Sequence, residues 1–372
     1  MDAYDLIPKL IRASFDSDRK TIEAVSLAII KRIKKDYPDA AGEIAKTLSF
    51  SGAGAPMVRS IDMQPLPVDR ESRYSLVKLD EPYEIPDPIL DDYTMTQLND
   101  FFKERDMINT FLEEGITPPN SILLDGQPGV GKTYIARWIS YRLNIPLITL
   151  DLASSISSYL GRSGQNIKNI FDYAKSQNAV LFLDELDAIA KRRDDASDLG
   201  ELKRLVNVLL KELELCPSSC VIIGATNHPE LLDKAIWRRF DRSLTVSMPA
   251  EIERKNLILR HLDKYVPRLK QDTLLYLTKH AGSINAADIC KLCEHIKRQC
   301  ILNPEMQLDL IALSELYKVI TYTSKDEKIQ ICQMLKRDFN NLSQRDISQI
   351  TNIPLTSVTR YLTANSRIKE GK

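Results

Sequence analysis

Ile122-Leu-Leu-Asp-Gly126-Gln127-Pro128-Gly129-Val130-Gly131-Lys132-Thr133 sets an apolar run directly before a glycine-rich loop that ends in Lys-Thr. The loop fits G-x-x-x-x-G-K-[ST] at every fixed position. Glycines let the backbone turn tightly and aim several N–H groups at one anion, because no Cβ blocks the approach. A helix from about Lys132 to Leu143 adds its positive N-terminal end to the same point. Residues 126–133 are therefore the candidate cradle for the phosphates of a nucleoside triphosphate. Lys132 is expected at the β- and γ-phosphates and the Thr133 hydroxyl on Mg²⁺. A chance glycine-rich turn would leave the preceding strand and the following helix unexplained.

Working outward, Val180-Leu-Phe-Leu-Asp184-Glu185 is an apolar strand ending in paired carboxylates. In a parallel sheet its carboxyl end lies beside the phosphate loop. Asp184 is expected to hold Mg²⁺, mostly through water, and Glu185 to accept a proton from the attacking water. The run Val221-Ile-Ile-Gly-Ala-Thr226-Asn227 ends in a polar pair. Two readings of Asn227 stand side by side: an amide that orients the water at the γ-phosphate, or a common strand-ending turn residue. Arg238, Arg239 and Arg242 then crowd five residues. They are either plain surface charge or the planar, permanent cations that suit a transferring phosphoryl group.

Strand-like runs at 121–124, 147–150, 180–183, 221–225 and 244–246 alternate with amphipathic helical segments at 133–143, 163–176 and 199–215. Such alternation predicts an α/β domain with a parallel sheet covered on both faces. The chain divides on composition. Residues 1–48 read as a helical domain, with Ile22, Val25, Ile29, Ile30 and Ile33 on one face of its middle helix. Residues 49–88, with Ser51-Gly-Ala-Gly-Ala-Pro56 and five further prolines, read as a tether that has room for a short strand near 74–79. Residues 89–249 form the nucleotide-binding domain, 250–322 an all-helical unit, and 323–372 a further module. Basic residues Lys31, Arg32, Lys34 and Lys35 close the middle N-terminal helix, either as a solvated face or as a binding patch.

Gly126–Thr133, Asp184-Glu185-Leu-Asp187-Ala-Ile-Ala, Gly224-Ala-Thr-Asn227 and Ala235–Asp241 occur in order and at matching spacing, and together they resemble the AAA ATPases. The form Ala-Ile-Trp-Arg-Arg-Phe is most similar to the katanin and spastin branch. The resemblance spans about residues 90–320. It implies a P-loop fold with a five-stranded parallel sheet in the order 5-1-4-3-2 plus a helical lid. It also implies a hexamer in which Arg238 and Arg239 reach the neighbouring subunit's nucleotide, and Asn227 as sensor 1. Tyr159, Leu160 and Gly161 fall where such proteins carry the aromatic–hydrophobic–Gly pore loop that grips an extended polypeptide; the alternative is a tyrosine packed in its own domain. Residues 194–200 would be the second pore loop. Gln127 departs from the usual Pro, the upstream Asp-Ile-Gly-Gly is absent with Ile89–Asp91 in its place, and Ala286-Ala287-Asp288 stands for Gly-Ala-Asp.

The 372 residues carry 51 basic and 51 acidic side chains, so no global field draws the chain to nucleic acid or membrane. The longest apolar runs are strand-sized, the N-terminus lacks the layout of a signal peptide, and six cysteines do not read as a disulfide framework. A cytoplasmic protein without membrane contact is expected. Cys290-x-x-Cys293-x-His295 lies on one amphipathic helix, which suits small apolar residues better than a zinc site built from separate elements.

Leu342–Leu362 resembles a helix-turn-helix, with Ile347 and Ile350 inward on the first helix and Val358 and Leu362 inward on the second. Asn352 suits the left-handed turn between them. Thr356, Ser357, Thr359 and Arg360 then face outward, with Arg367, Lys369 and Lys372 beyond. On one reading they contact DNA; on the other the module binds protein or packs on the lid. The leading function is an Mg-dependent ATPase ring that threads, unfolds or disassembles a protein delivered directly or by an adaptor. The alternative is a DNA-associated loader or remodeller of nucleoprotein.

Overall fold

The four inner strands form where valine, isoleucine and leucine run together, because a strand covered on both faces needs apolar side chains at successive positions. A computed structural model describes residues 6–15, 19–35, 37–50, 67, 77–152, 163–188, 199–319, 325–339 and 342–363. Its sheet contains β1 (Lys78–Asp80), β2 (Ser121–Asp125), β3 (Leu147–Asp151), β4 (Val180–Asp184), β5 (Val221–Thr226) and β6 (Arg242–Thr245). Their order is β1-β3-β4-β5-β2-β6. The five strands β2 to β6 pair in parallel, and their arrangement is the expected 5-1-4-3-2.

The sheet has six strands rather than five. β1 is the addition, antiparallel to β3 with Lys78 opposite Thr149 and Asp80 opposite Leu147. Val77 and Leu79 turn toward the core, while Lys78 and Asp80 face out and pair at 2.7 Å. A three-residue strand among prolines shows too little alternation to be read as part of the sheet, yet it covers an edge that β3 would otherwise leave open.

Crossovers place β5 between β2 and β4, so the carboxyl ends of these three strands lie together. Helices Lys132–Leu143, Ser163–Gln177 and Leu199–Glu214 accompany the strands. Phe171, Leu181, Leu183, Leu209 and Ile222 share one buried core. Trp138 is fully buried and donates through Nε1 to Asp87 Oδ1 at 3.0 Å.

Helices Ile7–Phe15, Arg19–Ile33 and Pro38–Phe50 occupy the N-terminal region. They belong with the sheet to one compact unit. Leu27, Ile30, Ala41 and Ala45 pack with Ile108 and Leu112 of the helix Ile108–Glu113. Glu23 Oε2 accepts from Ser218 N at 3.0 Å. Of the basic run that ends the middle helix, Lys34 pairs with Glu114 at 2.7 Å.

The second compact unit takes in residues 89–91, 128–131 and 247–372. One apolar core runs through it, from Leu257 and Ile258 on Glu251–Leu262, through Ile289, Ile296, Leu313 and Leu316, to Leu335, Ile347, Val358 and Tyr361. Ser343 and Asp346 form a reciprocal capping box on the helix Gln344–Thr351. Asn352 ends that helix in the left-handed conformation, φ 54°. In the next helix, Leu355–Thr363, Val358 faces inward as expected. Tyr361, three residues after Val358 and so on the same helix face, takes the second inner position, and Leu362 sits at the core's margin.

Candidate nucleotide site

β2 ends at Asp125, the chain passes through the glycine loop, and the helix starts at Lys132. Gly129 and Gly131 hold φ of 81° and 111°, which L side chains adopt only under strain. A Cβ on Gly129 would also meet the Asn285 side chain at 2.6 Å, whereas at Gly131 it would enter open space. Ala287 N donates to Gly129 O at 2.9 Å, and Asn285 caps its own helix by accepting from Asp288 N at 2.9 Å.

Lys132 is 7% exposed. Its ammonium donates to Gly126 O at 2.6 Å, Gln127 O at 3.0 Å and Asn227 Oδ1 at 2.7 Å, which uses all three protons. Burial pushes its pKa down, opposed by the nearby carboxylates of Asp184, Asp125 and Asp187. Asp184 closes β4 and is half-buried; desolvation pushes its carboxyl up, against the hydrogen bond from Glu185 N at 2.9 Å. Asp125 is likewise raised by burial and accepts from Thr245 Oγ1 at 3.2 Å. Glu185 is exposed and left-handed, φ 55°, a conformation uncommon outside glycine and asparagine.

Two carboxylates organise this site without having been given a role from sequence. Asp187 is 2% exposed, and its Oδ1 accepts from Thr226 Oγ1 at 3.1 Å and Asn227 N at 3.2 Å. Asp241 Oδ2 accepts from Asn120 N at 2.8 Å, Ser121 N at 3.0 Å and Ser121 Oγ at 2.8 Å, which ties the arginine segment to the start of β2. Both lie in segments that carry the family resemblance, Asp187 two residues after Glu185 and Asp241 after the buried Phe240, which marks their place but not their partners.

Arg238 and Arg239 are exposed, and Arg239 pairs with Glu214 at 3.1 Å. Arg242 is different: it is held by Glu104 at 2.6 Å and by Gln97 Oε1 at 2.9 Å, as part of the scaffold. The structure thus brings Lys132 and Asn227 together, with Asp184 close enough to act on the Lys132 charge. Tyr159, Leu160 and Gly161 lie outside the described residues, as do 194–198 of the second candidate loop and Arg367, Lys369 and Lys372.

In the second unit Thr356, Thr359 and Arg360 are exposed and Ser357 is partly so. Thr359 Oγ1 donates to Gln344 Oε1 at 2.8 Å, and the Arg360 guanidinium lies 5.4 Å from the Tyr361 ring centroid. Cys290 Sγ lies 3.1 Å from His261 Nε2, and burial pushes the Cys293 thiol up to about 12. Among the described residues no helix is long and apolar enough to cross a membrane.

The donor set fits a nucleoside triphosphate with a divalent cation: a glycine cradle at a helix N-terminus, an ammonium, a hydroxyl on Thr133 and a carboxylate on Asp184. Residues 122–248 match the family model described as ATPase family associated with various cellular activities (AAA). The chain is 34% identical over 248 residues to the uncharacterized AAA family ATPase y4kL of Sinorhizobium fredii, covering 66% of this chain and 74% of that one. It is 34% identical over 190 residues to the proteasome-activating nucleotidase of Methanococcus maripaludis, covering 49% of this chain and 46% of that protein. The crystal structure of the FIGL-1 AAA domain is similar with a TM-score of 0.54 at 20% identity, over 71% of this chain and 92% of that one, a likeness of fold.

Proposed function

The chain belongs to the AAA family of ATPases, and we propose that it hydrolyses ATP at the seam between subunits of a ring, with one subunit's phosphate cradle and its neighbour's arginines, to unfold or disassemble a protein. The observation that carries this reading is the Lys132 ammonium bonded to Asn227 at 2.7 Å, with Asp184 near enough to act on its charge. Residues 126–131 bind the phosphates through backbone N–H groups, and Lys132 exchanges its carbonyl partners for phosphate oxygens, which are stronger, charged acceptors. Thr133 and Asp184 would hold Mg²⁺, which would neutralise charge on the phosphates. Glu185 takes the proton of the attacking water, and Asn227 orients that water through its amide. Arg238 and Arg239, exposed on the first unit, meet the developing charge on the adjacent subunit's nucleotide. Tyr159, Leu160 and Gly161 grip the polypeptide. The proteasome-activating nucleotidase is named for activating a proteasome, and its likeness to this chain supports a protein substrate.

The test is Glu185→Gln. The variant should bind ATP with wild-type affinity, lose turnover and retain bound protein substrate; normal turnover would refute the base assignment. A second reading, a DNA-associated ATPase, is favoured by the exposed Thr356, Thr359 and Arg360 on the helix Leu355–Thr363. Residues 325–372 carry nine Lys or Arg against five Asp or Glu. Duplex DNA that stimulates turnover, with Arg360→Ala abolishing the effect, would favour it over the first.

A further inference from the structure

The segment that follows Glu185 is stitched to the end of β5 at three points. Leu186 N donates to Ala225 O at 2.9 Å, Thr226 Oγ1 donates to Asp187 Oδ1 at 3.1 Å, and Asn227 N donates to the same oxygen at 3.2 Å. Ala188 N closes the turn on Glu185 O at 2.9 Å, and Thr226 Oγ1 accepts from His228 N at 3.1 Å. Asp187 and Thr226 are 2% and 1% exposed. Burying a carboxylate carries a heavy desolvation cost, so a side chain used only for packing would be apolar here. An ionised carboxylate is acceptor-only, and so it fits the two donors, a hydroxyl and an amide, that converge on it.

We propose that Asp187 is a positioning residue for hydrolysis: it fixes the backbone of Asn227, and thereby holds the Asn227 amide on Lys132 and toward the reacting phosphate. The proposal rests on the reading of Asn227 as a residue that acts on ATP. Its consequence is that Asp187 and Asn227 form one functional unit, linked by the Asp187 carboxylate and the Asn227 backbone amide.

The experiment is a double-mutant cycle on steady-state ATP hydrolysis, with ATP binding and thermal stability measured in parallel. Asp187→Ala should lower kcat by about tenfold, with KM for ATP within about twofold. Asp187→Ala/Asn227→Ala should turn over no more slowly than Asn227→Ala alone. Asp187→Asn, which keeps an acceptor oxygen, should recover part of the loss. Thr226→Val removes one of the two donors while leaving Asp187 in place, and should show the same non-additivity if Asp187→Ala does not fold. A double mutant slowed by the product of the two single effects would overturn the proposal, as would wild-type kcat in both Asp187→Ala and Thr226→Val. Wild-type turnover in Asn227→Ala would instead refute the role of Asn227, and with it this inference, while leaving nucleotide hydrolysis itself intact.

Discussion

Lys132 Nζ donates to Asn227 Oδ1 at 2.7 Å, joining the first residue of the phosphate-loop helix to the residue after β5, 95 positions later in the chain. Both side chains owe this meeting to the crossover that sets β5 beside β2. The amide thereby becomes part of the lysine's coordination. Lys132→Ala should weaken ATP binding by about 10–100-fold, the worth of one or two charge-assisted hydrogen bonds. Isothermal titration with ATP measures it, and unchanged affinity would remove Lys132 from the phosphate site.

Gly129 and Gly131 separate two causes of intolerance. Gly131→Ala meets only the strain of φ 111°, while Gly129→Ala adds a clash with Asn285. Strain of this kind costs about 1–3 kcal/mol. Thermal unfolding should therefore rank Gly129→Ala as the more damaging, and Asn285→Ala should relieve Gly129→Ala but not Gly131→Ala. Equal losses at the two positions would mean that the contact with Asn285 carries no energy.

Asp184 exchanges stability for chemistry. Its folded carboxyl is raised above the ordinary value of 3.8, chiefly by burial, so the folded protein holds the proton more tightly than the unfolded chain. Stability from this group is fully present below 3.8 and is lost as pH rises through the raised value. Asp184→Asn should consequently melt a few degrees higher at neutral pH, with the gain shrinking as the pH falls toward 3.8, while hydrolysis is lost. A lower melting temperature at neutral pH would contradict the burial argument.

Arg239 is paired at 3.1 Å with Glu214, both half-exposed, so the pair adds at most about 1 kcal/mol to the single chain. Arg239→Ala should fold normally and lose turnover by about 10³-fold or more if the arginine acts on a nucleotide. Mixing Arg239→Ala with Lys132→Ala subunits should restore part of the activity, because each supplies what the other lacks. Complete absence of rescue would argue against action across a seam.

Asp241 accepts three hydrogen bonds from Asn120 and Ser121 at the start of β2. Asp241→Ala should destabilise the fold by about 2–3 kcal/mol, as the orphaned amides and hydroxyl lose their acceptor. A melting temperature within a degree of wild type would show that water replaces the carboxylate.

Periodicity carried much of this fold. Apolar runs announced β2 to β5, and local spacing announced the loop at 126–133 and the left-handed Asn352; β6, Arg242–Thr245, starts two residues before the run expected at 244–246, because only Leu244 of its four residues is apolar. What stayed hidden was whatever depends on two distant segments meeting. β1 is three residues long and gains its meaning only beside β3. Tyr361 and not Leu362 takes the inner position, although either lies within one turn of Val358, so the choice rests on the packing of the whole unit. Arg242 belongs to the same five-residue arginine cluster as Arg238 and Arg239, yet Glu104 and Gln97 claim it.

The chain's order of residues by itself determined the phosphate loop, the paired carboxylates and the alternating architecture, since each is written within a few consecutive positions. Only the tertiary structure decided which acceptors surround Lys132, which arginines remain exposed, and that Asp187 stands under Asn227. The physical reason is range: turn geometry and strand burial are local consequences of side-chain type, whereas hydrogen-bond partnership follows from strand order, which brings residues dozens of positions apart to one end of the sheet.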